Sequence, residues 1–259
     1  MVHLNKVIGE HIFSFQFNDR SLTAFFQKQF KTCADGKSAD INVVICKGYG
    51  RPFLNYDVKV MKNEKQIVFK RADYKITADP SYSYAEISVY DELALKHALM
   101  NLYSSYIVHK NWGILLHSSC VLEKNHAHIF TGHSGAGKST AAMLSHPRPL
   151  FSDEATVLKI DAAQVTAFDS PFRSELHGSA LVPFAELKSI NLLHQSLVIE
   201  RNQISKSAAM MALFDKVFYW PSDKSETKRI LTNLKNLVEN TEIFNLYFQK
   251  NNQFWEMIL

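Results

Sequence analysis

Five short runs rich in β-branched and aromatic residues follow one another between positions 41 and 90: 42–46, 57–61, 66–70, 74–77 and 85–90. Runs of that length predict strands, and the polar Lys62-Asn63-Glu64-Lys65 between two of them predicts a hairpin tip. The expectation for this region is an antiparallel β layer. At Asp91 the period changes: Leu95, Leu99, Leu102 and Tyr106 recur at helical spacing as far as position 109, with Asp91 placed to cap the first turn. The change sets the expected boundary between an N-terminal β-rich subdomain, 1–90, and a second segment, 91–259.

The second segment opens with short strands at 113–116 and 121–122, then a polar turn and a strand at 128–131. A glycine-rich loop follows at once, and after it a helix over 138–145 stopped by Pro147 and Pro149. Further strands are expected at 156–160, 164–168 and 243–248, with a helix presenting Ile230, Leu234 and Leu237 on one face before the last of them. Between 180 and 218 the apolar positions fit neither period, and 205–214 is the most helix-like piece. Strands interleaved with helices make this segment an α/β core.

With 259 residues, 46% of them apolar and 21% charged, the chain has globular composition. The 29 Lys and Arg against 25 Asp and Glu leave a formal charge of +4, too low a density for a nucleic-acid coat. Few cations interleave Phe13, Phe15, Phe17, Phe25, Phe26 and Phe30, which fit a core or a hydrophobic partner face better than a base-stacking platform. No nucleic-acid partner is expected. No apolar run approaches the roughly 20 residues a membrane helix needs, and the first ten residues lack a secretory layout, so no membrane association and a cytoplasmic address are expected. Cys33, Cys46 and Cys120 stand at wide spacings without a Cys-x-x-Cys pair, which suggests reduced thiols rather than disulfides or zinc.

Gly132-His133-Ser134-Gly135-Ala136-Gly137-Lys138-Ser139 satisfies the phosphate-loop pattern, with the strand-like His128-Ile129-Phe130-Thr131 before it and helix-forming Ala141-Ala142-Met143-Leu144 after it. Glycines let the backbone wrap an anion, successive N–H groups attract it, Lys138 reaches the β/γ-phosphates and the Ser139 hydroxyl can ligate Mg²⁺. Thr140 completes the phosphate-binding set. Asp153-Glu154, 15 residues beyond Lys138 and ahead of the next strand, is the leading carboxylate pair. Adjacent carboxylates point to opposite faces of a regular strand, so both reach one ligand only if the chain turns there. His126, His128 and His133 have no carboxylate or thiol partners at ligand spacing and are assigned no metal.

Three segments, Gly113-Ile114-Leu115-Leu116-His117-Ser118, the loop from Gly132 to Ser139, and Leu150-Phe151-Ser152-Asp153-Glu154, resemble the core motifs of the HPr kinase/phosphorylase family. His117 lies 15 residues before Gly132, as in that family. The resemblance covers the chain well from Asp91 to about Glu175 and the rest in outline. It implies a phosphoenolpyruvate-carboxykinase-like P-loop kinase core, ATP with Mg²⁺ as donor, and a serine hydroxyl as acceptor. Carried over, Asp153 takes the acceptor's proton, Glu154 helps Ser139 hold the metal, and His117 tunes Asp153. A positioned carboxylate base of this kind contributes ~10²–10⁴-fold.

The chain departs from the family at three places. Glu154 stands where the second acid is usually Asp, and Thr140 where the bifunctional enzymes usually have Glu. The Glu-x-Arg-Gly signature has no good copy, the nearest segment being Ser170-Pro171-Phe172-Arg173-Ser174-Glu175, which weakens the expectation of a reverse, phosphorylase activity. In that segment Arg173 is a candidate phosphate clamp and Glu175 a candidate second metal ligand. The short chain and β-rich start look closer to the small HPr-kinase-like proteins that phosphorylate a serine of lasso precursor peptides. The expectation is therefore an ATP-dependent serine kinase acting on a peptide or small protein, with its oligomeric state open. A small-molecule hydroxyl kinase of the same fold and a non-catalytic nucleotide-dependent regulatory module are the alternatives.

Overall fold

A computed structural model of the chain describes residues 2–33, 38–174, 176, 178 and 180–259. Its packing divides the chain into two units, 1–109 with 219–228, and 110–218 with 229–259. The boundary thus falls after His109 rather than between 90 and 91, because the helix that follows Asp91 packs on strands of the first unit.

The first unit runs β1 (Val2–Ile8), β2 (His11–Phe17), α1 (Thr23–Gln29), β3 (Lys31–Thr32), β4 (Ile41–Lys47), β5 (Lys59–Lys62), β6 (Ile67–Lys70), β7 (Tyr74–Ala78), β8 (Tyr84–Val89) and α2 (Glu92–His109). Its strands form one eight-stranded sheet in the order β3-β1-β2-β4-β8-β7-β6-β5. The expected wholly antiparallel layer is corrected here, since β4 pairs in parallel with both β2 and β8. Asn63 closes the β5–β6 hairpin, its side-chain oxygen accepting from the N–H groups of Lys65 and Gln66. Phe13, Phe15, Phe17, Phe26 and Phe30 are buried core, whereas the side chain of Phe25 lies outside the described residues. Asp91 caps α2, its Oδ1 accepting from Ala94 N at 2.9 Å. Polar groups buried in α2 are matched to the sheet: Asn101 donates to the Tyr74 hydroxyl and the Tyr103 hydroxyl to the Ile8 carbonyl.

The second unit comprises β9 (Gly113–Glu123), β10 (His126–Thr131), α3 (Lys138–Leu144), β11 (Leu150–Ser152), β12 (Ala155–Ile160), β13 (Val165–Phe168), β14 (Phe184–Gln195), β15 (Glu200–Gln203) and α4 (Lys206–Phe214), and ends with β16 (Glu242–Phe248). Helix α5 (Lys224–Asn240) precedes β16 and carries residues of both units. The pairings β10-β9-β12-β13-β14 close into a circuit because β14 also pairs in parallel with β10; β16 and β15 extend it beyond β14, and β11 adds to β9. Both units are thus mixed α/β with dominant sheets. Among the described residues no helix is long and apolar enough to cross a membrane.

One expectation is corrected in this unit, and one open stretch is assigned. The separate strands at 113–116 and 121–122 are one strand, β9. Its polar middle stays in the sheet because distant partners satisfy it: Ser118 Oγ donates to Thr156 Oγ1 at 2.7 Å and Ser119 Oγ to the Lys138 carbonyl at 3.0 Å. The unassigned stretch 180–218 holds the 12-residue β14, then β15 and α4, with Ser205 capping α4 through Ala208 N. Strand β14 changes character midway, alternating to Ser189 and then buried from Ile190 to Leu193, where β16 runs parallel to it on one edge while β10 continues on the other.

Candidate functional site

Gly132 leaves the end of β10, and the loop it opens runs directly into α3. An aromatic and aliphatic cluster under the loop holds it in place. Ala136, Ala141 and Ala142 are buried with Phe130, Leu246, Phe248, Phe254 and Trp255. Trp255 Nε1 donates to Ser145 Oγ at 2.9 Å, and Ser145 Oγ in turn donates to the Ala141 carbonyl, which ties the end of α3 to the C-terminal segment. Arg148 lies over the Trp255 ring at 4.1 Å and pairs with Glu123.

Close backbone approach explains two of the loop's glycines. At Gly132 a Cβ would come within 2.8 Å of the Ala136 Cβ. Gly137 has φ +105, and a Cβ there would meet Phe248 Cζ at 2.8 Å. Phe248 is part of the buried cluster and has little room to yield. Gly137→Ala is therefore expected to destabilise the protein by about 1–3 kcal/mol. Chemical denaturation of the variant beside the parent checks this value.

Lys138 turns back over the loop, its Nζ donating to the carbonyls of Gly132 (3.3 Å) and His133 (3.2 Å). Desolvation, with Lys216 adding repulsion, lowers its pKa from the usual lysine value. It lines a pocket of about 380 Å³ together with Ser134, Gly135, Gly137, Ser139, Thr140, His117, Asp153, Glu154 and Ser174. Of the phosphate-loop set, Ala136 alone is turned into the core, and Gly132 forms the loop's root.

Asp153 and Glu154 occupy the bend between β11 and β12, so the chain does turn at this point and both side chains line the pocket. Asp153 is 2% exposed. Its Oδ1 accepts from Ser174 N at 2.9 Å and its Oδ2 from Leu176 N at 3.0 Å. Asp153 thereby anchors the segment that passes over it, a duty that its sequence neighbours do not reveal. Ser139 and Glu154 are oxygen donors of the kind a hard divalent cation takes when ligand phosphates and water complete its shell. Among the described residues no three His, Cys, Asp or Glu side chains gather as a metal cluster.

His117 lies on β9 opposite Ala155 of β12. Desolvation and the charges of Lys138 and Lys216 push its pKa down to about 4, so its ring is neutral near pH 7. Lys216 was not distinguishable in the sequence, because it falls in the stretch without a clear period and no motif marks it. Arg173 is directed elsewhere: its guanidinium pairs with Asp169 and donates to the Phe151 carbonyl at 3.2 Å. Glu175 lies outside the described residues. His128 is buried against Ser189 Oγ (2.9 Å) and the edge of Trp255.

A larger cavity of about 720 Å³ adjoins the pocket, sharing Gly137 and Thr140 with it. It is walled by the end of β14 and the chain that follows (Gln195, Ser196, Leu197) and by the end of β16 and the chain that follows (Phe248, Gln249, Lys250). Its lining holds one titratable side chain, that of Lys250, whereas the smaller pocket holds Lys138, His117, Asp153 and Glu154. The two spaces therefore differ in chemistry, one suited to an uncharged moiety and the other to an anion and a reacting group.

No protein-family model matches the chain, and no curated protein sequence does. Among solved structures, the HPr(Ser) kinase/phosphatase from Coxiella burnetii matches with 14% sequence identity and a TM-score of 0.24, over 47% of this chain and 88% of that one.

Proposed function

We propose that the chain is an ATP-dependent phosphotransferase that moves the γ-phosphoryl group to a serine hydroxyl of a peptide or small protein. The observation that carries this reading is the 380 Å³ pocket, onto which the phosphate-loop lysine, the Ser139 hydroxyl, His117 and two carboxylates all open. The three segments that resemble HPr kinases are the same segments that line it. Under this reading the second unit is a P-loop core of the carboxykinase-like kind.

In the reaction the serine oxygen bonds to the γ-phosphorus while the bond to the β-bridging oxygen breaks, and ADP leaves with that electron pair. Asp153 takes the hydroxyl proton, and its two backbone hydrogen bonds hold the carboxylate in one orientation for that purpose. Lys138 gives up its loop carbonyls for phosphate oxygens, which are stronger acceptors for an ammonium. Ser139 and Glu154 would hold Mg²⁺, which neutralises phosphate charge during transfer. A serine hydroxyl is a poor nucleophile near pH 7 and must be held in line, so an extended peptide fits this cleft better than a folded surface. A flexible end of a short precursor peptide, of the lasso kind or similar, is the proposed acceptor.

The test offers purified protein with ATP and Mg²⁺ a genome-neighbouring precursor peptide, its serine-to-alanine version, a folded HPr-type protein and free serine. Intact mass is read for each. A gain of one phosphoryl group on the peptide, absent from the alanine version, is the expected result. Transfer to the folded protein alone would overturn the peptide assignment, and transfer to free serine alone would favour a small-molecule kinase. ATP binding without transfer to any of them would favour the regulatory module.

A further inference from the structure

Lys216 is separated from His117 by 99 positions in the chain, yet the two stand side by side in the fold. An isolated antiparallel bridge joins Leu116 of β9 to Val217. Two hydrogen bonds flank it, His117 N to the Lys216 carbonyl at 2.7 Å and Phe218 N to the Leu115 carbonyl at 2.9 Å. The register of such a bridge puts Lys216 directly opposite His117, with both side chains on one face and Cβ atoms about 5 Å apart. The ring contact between His117 and Phe218, at 5.4 Å, is the diagonal neighbour that the same register requires.

The place of this bridge along β9 matters as much as its register. Strand β10 runs beside β9 until Thr131 meets Ser118, and there the phosphate loop leaves the sheet. Lys216 takes the next position on that edge of β9, opposite His117. The root of the loop and Lys216 are thus consecutive occupants of one strand edge. The Lys216 side chain is 15% exposed and its Nζ pairs with Asp215 Oδ2 at 2.6 Å, while Asp215 itself is 67% exposed.

We propose that Lys216 is a second phosphate-binding cation, which contacts the terminal phosphate of a bound nucleoside triphosphate from the His117 side while Lys138 contacts it from the loop. The inference rests on the nucleotide-binding reading above. Two ammonium groups held near one pocket repel each other, and an anion between them removes that cost. The bridge register sets Lys216 beside His117, which itself lines the pocket, and the charge of Lys216 acts on that ring. The pairing with Asp215 is easily exchanged, since a surface ion pair contributes about 0–1 kcal/mol and a phosphate is the stronger acceptor. The 720 Å³ cavity beyond Gly137 and Thr140, whose lining carries a single charged side chain, Lys250, suits the nucleoside, which leaves the far end of the phosphate chain toward His117 and Lys216.

The experiment measures binding of ATP and of ADP, each with Mg²⁺, by calorimetry on the full chain and on three variants. Lys216→Met is expected to weaken ATP about tenfold or more and ADP by less than threefold; tenfold corresponds to about 1.4 kcal/mol. Lys216→Arg should retain most of the preference for ATP. Asp215→Asn should tighten ATP, because it frees the lysine. Thermal unfolding of each variant separates a folding defect from a binding one, and Asp215→Asn answers the question should Lys216→Met fail to fold: ATP binding no tighter than the parent's would then overturn the assignment. An unchanged ATP-to-ADP ratio in folded Lys216→Met would overturn the assignment of Lys216 while leaving nucleotide binding intact. Failure of the folded parent protein to bind either nucleotide would instead overturn the phosphotransferase reading, and the inference with it.

Discussion

Replacement of Lys138 by alanine is expected to abolish phosphoryl transfer and to weaken ATP binding sharply, with little effect on stability. The ammonium is the one charged group on the loop itself that faces the pocket, and its hydrogen bonds go to two loop carbonyls that water can serve equally well. The loop keeps its shape without the lysine, because Ala136, Ala141 and Ala142 stay packed on Phe130, Phe248 and Trp255. The expected change in unfolding free energy is therefore below about 1 kcal/mol. Loss of charge opposite the phosphates falls on both binding and the transition state, since phosphoryl transfer depends on charge neutralisation and positioning rather than on covalent chemistry. Calorimetric titration with ATP and mass analysis of product check the two halves. A variant that keeps full activity would remove the phosphate-loop assignment.

Asp153→Asn is expected to lower turnover by ~10²-fold or more while ATP still binds, the size associated with loss of a general base. The fold adds a second consequence that the sequence does not suggest. Both carboxylate oxygens accept backbone N–H groups, at Ser174 and Leu176, from a site that is 2% exposed. An amide can serve only one of the two, and its own NH₂ then faces the other donor, so the variant should also lose about 1–3 kcal/mol of stability. Single-turnover rates at saturating ATP, read together with denaturant midpoints, separate the chemical loss from the structural one. If turnover survived and only Mg²⁺ dependence changed, Glu154 would have to be the base and Asp153 the metal ligand.

Much of the first unit is local in origin and could be read from the chain directly. Asp91 caps the helix that follows it, Asn63 closes the hairpin between β5 and β6, and the five strands between 41 and 90 fall within a residue or two of their runs. The glycine-rich motif is equally local, being eight consecutive residues between a strand and a helix, whereas the cluster that holds the loop in place draws Phe248, Phe254 and Trp255 from the far end of the chain. Strand partners are a different matter. The parallel pairings of β4 with β2 and β8 join segments that are distant in sequence, and strand-forming runs carry no mark of which neighbour they will take.

The sequence alone marked most of the elements between 41 and 168, the last helix and strand, the glycine-rich loop and the order along the chain of His117, Lys138 and Asp153, because each rests on hydrogen bonds and periodicities that span a few residues. Only the tertiary structure decided that β9 is unbroken, since the polar residues at its centre are tolerable only with Thr156 and the Lys138 carbonyl beside them. It likewise decided that Arg173 turns to Asp169, that Asp153 holds a crossing segment by two amides, and that Lys216 lies opposite His117. The physical reason is the same in each case. A buried polar or charged side chain takes its role from the partner that satisfies it, and for these residues that partner is supplied by a separate segment of the folded chain.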